Sequence, residues 1–168
     1  AAVAIAEHIS GSVEEFAKLI NSEAYRIGAT NTHFVNPHGL HDDNHYTTAY
    51  DLYLIFNECL KHEMFTNIIG QSSHQTSIAN SDGSKRDVTW ESTVLYMNGN
   101  TGIEVEKPST VTFLGGKTGN TDEAKRCLLG YSRDGQNNAY ISIVMGAETK
   151  PLVYVNMNEM LNNAVAAN

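Results

Sequence analysis

The hydrophobic pattern of the chain changes near Ser73, and this change constrains the fold more than any other feature of the sequence. Before Ser73 the apolar residues recur at helical spacing, and after it short apolar runs alternate with turn residues. A capping box over residues 12–15 opens a helical pattern that continues until Gly28. A further helix follows Thr48, and the mostly apolar residues 1–9 also predict a helix. The first half is therefore predicted to be helical.

The second half is predicted to be β-rich and to end in a helix. Val111–Leu114 is typical of a strand, and residues 127–132 and 139–145 are apolar runs separated by a polar segment, which indicates a hairpin. Leu152–Ala166 returns to helical spacing and is predicted to pack across one face of the sheet. Turns between shorter strands are predicted at Ser81–Gly83 and Asn98–Asn100. Helices followed by an antiparallel sheet and a C-terminal helix predict an α+β fold.

The composition predicts one globular unit. The 168 residues are 41% hydrophobic, which is enough to bury a core, and no repeat marks a second domain within residues 1–168. A formal net charge of −8 without a basic patch argues against nucleic acid as a partner. No apolar run approaches the roughly 18 residues that a membrane span needs. Cys59 and Cys127 lack the spacing of a metal site, and a single bridge between them has no support from the pattern.

The segment Gly115–Asn120 carries the residues that suggest chemistry. If Lys117, Thr118 and Gly119 lie on an exposed edge strand, a peptide can add alongside by backbone hydrogen bonds, and Gly119 leaves room for its approach. The ammonium of Lys117 and the hydroxyl of Thr118 together suit a carboxylate. A Gly-rich turn with a solvated lysine would have the same sequence, so the tripeptide alone is weak evidence.

Longer segments surround this tripeptide in a specific order and spacing. They are Ala6–Ser12, Asn31–Leu40 with its Asn-Pro-His-Gly-Leu, His45–Leu52, Gly115–Ala124, Cys127–Leu129 and Val144–Ala147. Over nearly the whole chain these segments resemble the D-alanyl-D-alanine carboxypeptidase family of low-molecular-mass penicillin-binding proteins. Several long motifs in register make this resemblance specific.

The resemblance implies a serine acyl-transfer enzyme with the motifs Ser-x-x-Lys, Ser-x-Asn and Lys-Thr-Gly. Only the third occurs, since no serine is followed three residues later by lysine and Ser-x-Asn is absent. In the family, the helix that corresponds to residues 1–9 follows Ser-x-Asn directly. The chain is therefore expected to begin just after that motif, as the C-terminal portion of one β-lactamase/transpeptidase-like domain. Without the nucleophile motif, the chain alone is expected to be inactive.

The resemblance assigns roles to four residues. Lys117 would hold positive potential opposite the serine and its base, Thr118 would bind the terminal D-alanine carboxylate, and Gly119 would allow close approach. The backbone N–H of Asn120 would be one oxyanion-hole donor. Two departures from the family affect carboxylate recognition. Lys125-Arg126 stands before the Cys-Leu strand, where the family usually has Ala-Gly. Val94 stands near a position where the family commonly has a basic or polar residue.

The same resemblance implies the partners and the location. Expected ligands are peptidoglycan stem peptides that end in D-Ala-D-Ala, and β-lactams, which would acylate the serine. A missing N-terminal fragment of the domain could complete the site, and the full protein would work outside the cytoplasmic membrane. No cofactor is expected. The alternative functions are a noncatalytic remnant that binds D-Ala-D-Ala peptides or a partner, and a serine β-lactamase-like hydrolase.

Three other features have structural interpretations. One loop contains two aspartates and four histidines, His33, His38, His41 and His45. Their spacing fits no standard zinc site, so we interpret the segment as a solvated loop and expect no metal. Tyr96-Met97-Asn98 imitates a Tyr-x-Asn motif by coincidence. Cys127 is predicted to be an inert core thiol on a buried strand.

Overall fold

The computed structural model describes residues 1–98 and 106–167. The helices are α1 (Ala2–Ser10), α2 (Val13–Arg26), α3 (Ala49–Cys59), α4 (Glu63–Ile69) and α5 (Lys150–Ala166). The strands are β1 (Ser73–Ala79), β2 (Lys85–Glu91), β3 (Val111–Thr121), β4 (Lys125–Asp134) and β5 (Ala139–Ala147). Helices precede strands and a helix ends the chain, so the α+β prediction is confirmed.

Local signals set the helix boundaries. The side chain of Ser12 accepts a hydrogen bond from the backbone N–H of Glu15 at 3.1 Å, which is half of the predicted capping box. Thr48 and Thr149 cap α3 and α5 in the same way, through the N–H groups of Asp51 and Leu152. The C-terminal helix thus begins at Lys150, slightly before the predicted start. No helix among the described residues is long and apolar enough to cross a bilayer.

The strands form two separate antiparallel sheets. β1 and β2 make a two-stranded sheet, while β3, β4 and β5 make a three-stranded sheet in that order. The predicted turn at Ser81–Gly83 joins β1 to β2, with Gly83 at a φ of 83°. The turn predicted at Asn98–Asn100 falls partly on residues 99 and 100, which lie outside the described residues. Because the strand order is β3-β4-β5, β3 is an edge strand of the larger sheet among the strands described.

The main core lies between the three-stranded sheet and α5, as predicted for the C-terminal helix. Met157 and Leu161 of α5 pack against Leu128 of β4 and the segment Val94–Tyr96, all nearly inaccessible to solvent. The hydroxyl of Tyr154 accepts a hydrogen bond from the backbone N–H of Leu95 at 2.9 Å. This bond attaches the buried segment that follows Thr93 to α5. Burial of these side chains stabilises this half of the chain through the hydrophobic effect.

The helices of the first half leave apolar side chains exposed. In α1 only Ala6 is buried, whereas Ile5 and Ile9 remain 58% and 56% exposed. Met64 and Ile68 of α4 are exposed as well. A surface with this much apolar area favours contact with further protein.

Candidate active site

The four residues assigned from the resemblance lie in succession on the edge strand β3. Thr118 pairs with Leu128 of β4, and Asn120 pairs with Arg126. Lys117 and Gly119 alternate with them along the strand. Because β4 occupies one side of β3 and no other described strand pairs with it, the other side is open to an extended ligand.

The glycines of this strand serve two different purposes. A Cβ on Gly115 would lie 2.6 Å from the carbonyl oxygen of Ile69, because the end of α4 packs on β3 there. A Cβ on Gly116 would lie 2.3 Å from the carbonyl oxygen of Leu129 on the neighbouring strand. At Gly119, by contrast, the nearest atom would be a Cβ at 3.4 Å, an ordinary contact. Packing within the chain therefore explains Gly115 and Gly116 but not Gly119.

Lys117 lies beside an aromatic cleft. The cleft has a volume of about 610 Å³ and is formed by the end of α4 and by the β1–β2 sheet, with Trp90 and His74 stacked 6.3 Å apart on that sheet. The Lys117 ammonium donates to the backbone oxygen of Thr118 at 2.5 Å, and its desolvation lowers the pKa of the ammonium from its usual value. Part of the side chain stays exposed. The amine of Lys117 thus lies beside the cleft at a place that a ligand could reach.

Thr93 joins the site from a distant part of the sequence. Its hydroxyl lies 2.6 Å from the hydroxyl of Thr118, and either oxygen could be the donor. Sequence reasoning missed Thr93 because nothing in the polar pair Ser92-Thr93 marks it as functional. The position of Val94, aligned with a basic or polar residue of the family, is 1% exposed and belongs to the core, so it supplies no polar group here.

A second cavity, of about 320 Å³, lies between β3–β4 and the first turns of α5. Thr93, Thr118 and Asn120 line it together with two cations, Arg126 and Lys150. Cys127 also lines this cavity and is only half-buried, so the prediction of a buried core thiol was wrong. Cys127 is partly exposed because it pairs with Gly119 on the edge strand β3. Gly119 has no side chain, so it leaves that part of β4 uncovered.

The histidine-rich loop is organised by a buried carboxylate. Asp51 is 1% exposed, and its Oδ2 accepts hydrogen bonds of 2.7 Å from the backbone N–H of Asn31 and from the hydroxyl of Thr32. His33 and His45 bond to backbone groups within the loop, and desolvation lowers the pKa of His45. In the part of the chain that the structure describes, no three His, Cys, Asp or Glu side chains converge as metal ligands would.

Tyr96 has a structural role in the described structure. Its hydroxyl donates to Asn158 Oδ1 at 2.5 Å, and its ring packs against Phe113 and Tyr154, each with a centroid separation of 4.9 Å. It is 3% exposed. Tyr96-Met97-Asn98 resembles a catalytic motif, but the buried side chain of Tyr96 has no access to the candidate site.

Known proteins are similar to this chain in sequence and in architecture. The D-alanyl-D-alanine carboxypeptidase family model matches residues 1–149. The carboxypeptidase DacF of Bacillus subtilis is 35% identical over 164 residues, which are 98% of this chain and 38% of the relative. DacA of Haemophilus influenzae is 31% identical over 149 residues, which are 89% of this chain and 34% of the relative. The chain thus spans less than two fifths of the length of these relatives.

Solved structures show the same fold. The Streptomyces K15 DD-transpeptidase superposes with a TM-score of 0.79 at 25% identity, over 92% of this chain and 55% of that one. A D-alanyl-D-alanine carboxypeptidase from Mycobacterium tuberculosis gives a TM-score of 0.78 at 21% identity, over 99% of this chain and 59% of that one. The predicted transpeptidase-like architecture is therefore confirmed, and the chain belongs to the D-alanyl-D-alanine carboxypeptidase family.

Proposed function

We propose that residues 1–168 form the C-terminal portion of one catalytic domain of a serine-type D-Ala-D-Ala carboxypeptidase. The substrate is a peptidoglycan stem peptide, from which the enzyme removes the terminal D-alanine through an acyl-serine, on the outer side of the cytoplasmic membrane. The observation that carries the proposal is the open edge of β3, where Gly119 has no packing reason to be glycine. A backbone that must come close to β3 would supply that reason.

In the proposed mechanism the substrate peptide lies along β3 by adding to its edge. Thr118 directs a hydroxyl to the carboxylate of the terminal D-alanine, and Lys117 provides positive potential beside the reacting serine. The backbone N–H of Asn120 donates to the oxyanion that forms when the serine attacks the penultimate carbonyl. The tetrahedral intermediate then collapses to the acyl-serine as its C–N bond breaks and D-alanine leaves as the protonated amine, and water hydrolyses the ester to regenerate the serine hydroxyl.

The nucleophile and its base are supplied by residues outside these 168, since the sequence holds no Ser-x-x-Lys. The exposed apolar face of α1 is a suitable surface for that part of the domain. The isolated chain is accordingly inactive towards D-Ala-D-Ala peptides and is not acylated by β-lactams.

Intact-mass spectrometry before and after incubation with benzylpenicillin tests the proposal. The full-length protein should gain the mass of one drug molecule, and the 168-residue chain should gain none. In the full-length protein, Thr118→Val and Gly119→Ala should slow acylation, while Arg86→Gln, a change on β2 that lies outside both cavities, should leave it unchanged. Failure of the full-length protein to acylate or to release D-alanine would favour the noncatalytic peptide-binding alternative. Rapid hydrolysis of the drug would favour the β-lactamase alternative.

A further inference from the structure

The proposed mechanism sets the direction of the substrate peptide along β3. Thr118 binds the carboxylate of the terminal residue, and the N–H of Asn120 donates to the carbonyl oxygen of the residue before it. Because Asn120 follows Thr118 in the strand, the N-terminal part of the peptide runs towards Thr121. The terminal residue, which becomes the leaving group, therefore lies at Thr118 and Lys117.

The aromatic cleft opens at this end of the peptide. Lys117 lines the cleft, and so does Thr93, whose hydroxyl lies 2.6 Å from the hydroxyl of Thr118. The carbon that bears the terminal carboxylate also bears the side chain of the leaving residue. A side chain directed from Thr118 towards Lys117 therefore enters the cleft.

The walls of the cleft are apolar and aromatic. Ile68 and Ile69 line it from the end of α4, and the stacked rings of Trp90 and His74 line it from the β1–β2 sheet. Ile68 is 63% exposed and Trp90 is 51% exposed, so their apolar surfaces are accessible to a ligand. Burying such surface against an apolar side chain is favourable, and an aromatic wall adds a preference for another ring.

The size of the cleft exceeds what D-alanine needs. Its volume of about 610 Å³ lies within the range of roughly 300–1,000 Å³ that is typical of sites for small organic ligands. The methyl group of D-alanine leaves most of this space empty, whereas a phenyl or indole ring would cover the apolar walls. One basic and one acidic residue line the cleft, Lys117 and Glu91, so neither sign of charge on a ligand is favoured. Glu91 is also engaged, since its Oε2 accepts a hydrogen bond from Asn98 at 2.9 Å.

We propose that the aromatic cleft binds the side chain of the leaving residue, so that the enzyme releases terminal D-residues with large apolar or aromatic side chains as well as D-alanine. This inference rests on the proposed function, because the same acyl transfer expels the leaving residue. The amide C–N bond breaks as the serine oxygen bonds to the carbonyl carbon, and the proton of the serine passes to the leaving amine. Trp90 is the residue that determines this specificity.

Hydrolysis of three peptides by the full-length protein tests the inference. The peptides are diacetyl-L-Lys-D-Ala-D-X, in which the last residue is D-Ala, D-Phe or D-Lys, and the readout is kcat/KM for release of that residue. The wild type should release D-Phe at least as well as D-Ala, and about 10-fold better than D-Lys, whose charge loses hydration among apolar walls. Trp90→Ala should lower the ratio of the D-Phe to the D-Ala value by about 10-fold. Trp90→Phe, which keeps an aromatic ring, should retain most of that ratio.

Tyr25→Ala is the matched control, because it removes an exposed aromatic ring from α2, outside both cavities. It should keep the wild-type ratio. Release of D-Ala with little release of D-Phe, faster release of D-Lys than of D-Phe, or a ratio that Trp90→Ala leaves unchanged would each overturn the inference while the proposed function stands. If the full-length protein releases no terminal residue from any of the three peptides, the proposed function itself fails, and the inference fails with it.

Discussion

Alanine at Gly116 and alanine at Gly119 are the same chemical change on one strand, and the structure predicts opposite results. At Gly116 the new Cβ would lie 2.3 Å from the carbonyl oxygen of Leu129. That oxygen belongs to the paired strand β4, so it cannot move away without disturbing the β3–β4 ladder. Overpacking of this kind costs about 1–3 kcal/mol, and we expect about 3 kcal/mol because the contact is with backbone.

At Gly119 the nearest atom to a new Cβ is the Cβ of Cys127 at 3.4 Å, so no strain is expected. Alanine in a strand also loses less conformational entropy on folding than glycine does, by roughly 0.5–1 kcal/mol. Gly119→Ala should therefore be at least as stable as the wild type, with a gain of up to about 1 kcal/mol. If the substrate approaches the backbone here, the same variant should acylate more slowly in the full-length protein.

Urea unfolding and thermal unfolding, both followed by circular dichroism, measure these effects on the 168-residue chain. Gly116→Ala should lower the thermal midpoint by about 6–12 °C, the shift that 3 kcal/mol produces in a protein of this size. The reasoning is wrong if Gly116→Ala is as stable as the wild type, or if Gly119→Ala loses as much stability as Gly116→Ala. The functional assignment of Gly119 is wrong if its alanine variant acylates at the wild-type rate.

Three further predictions concern other sites. Asp51→Ala should cost about 3 kcal/mol and speed hydrogen exchange over residues 31–47, because the buried carboxylate accepts from Asn31 and Thr32; unchanged exchange would contradict this. Lys125 has a φ of 56°, so Lys125→Gly should gain about 0.5–1 kcal/mol in urea unfolding, whereas Lys125→Ala, which keeps the strain, should gain nothing. Desolvation lowers the pKa of Lys117 from its usual value of 10.5, so burial of the protonated form opposes folding. The wild type should therefore gain stability relative to Lys117→Met as the pH rises from the folded pKa towards 10.5, and an opposite slope would refute the shift.

Local sequence signals determined most of the secondary structure. Helix α2 begins after Ser12 and ends before Gly28. A capping hydroxyl at one end and a residue free to adopt positive φ at the other are local requirements. The alternation of apolar runs and turns likewise located β3, β4 and β5, and the Lys-Thr-Gly motif located the candidate site on β3. Such signals depend on near neighbours in the chain, so they are legible without the fold.

Contacts between distant residues were decided only by the tertiary structure. Thr93 reaches Thr118 across 25 residues because the hydroxyl of Tyr154 on α5 fixes the adjacent Leu95, and no local pattern encodes that arrangement. Burial of Val94 and partial exposure of Cys127 likewise follow from which face of each segment meets α5 or the sheet edge. The sequence by itself therefore determined the elements and the motif strand, whereas the cation-lined cavity depends on long-range packing of α5 against β4 and β5.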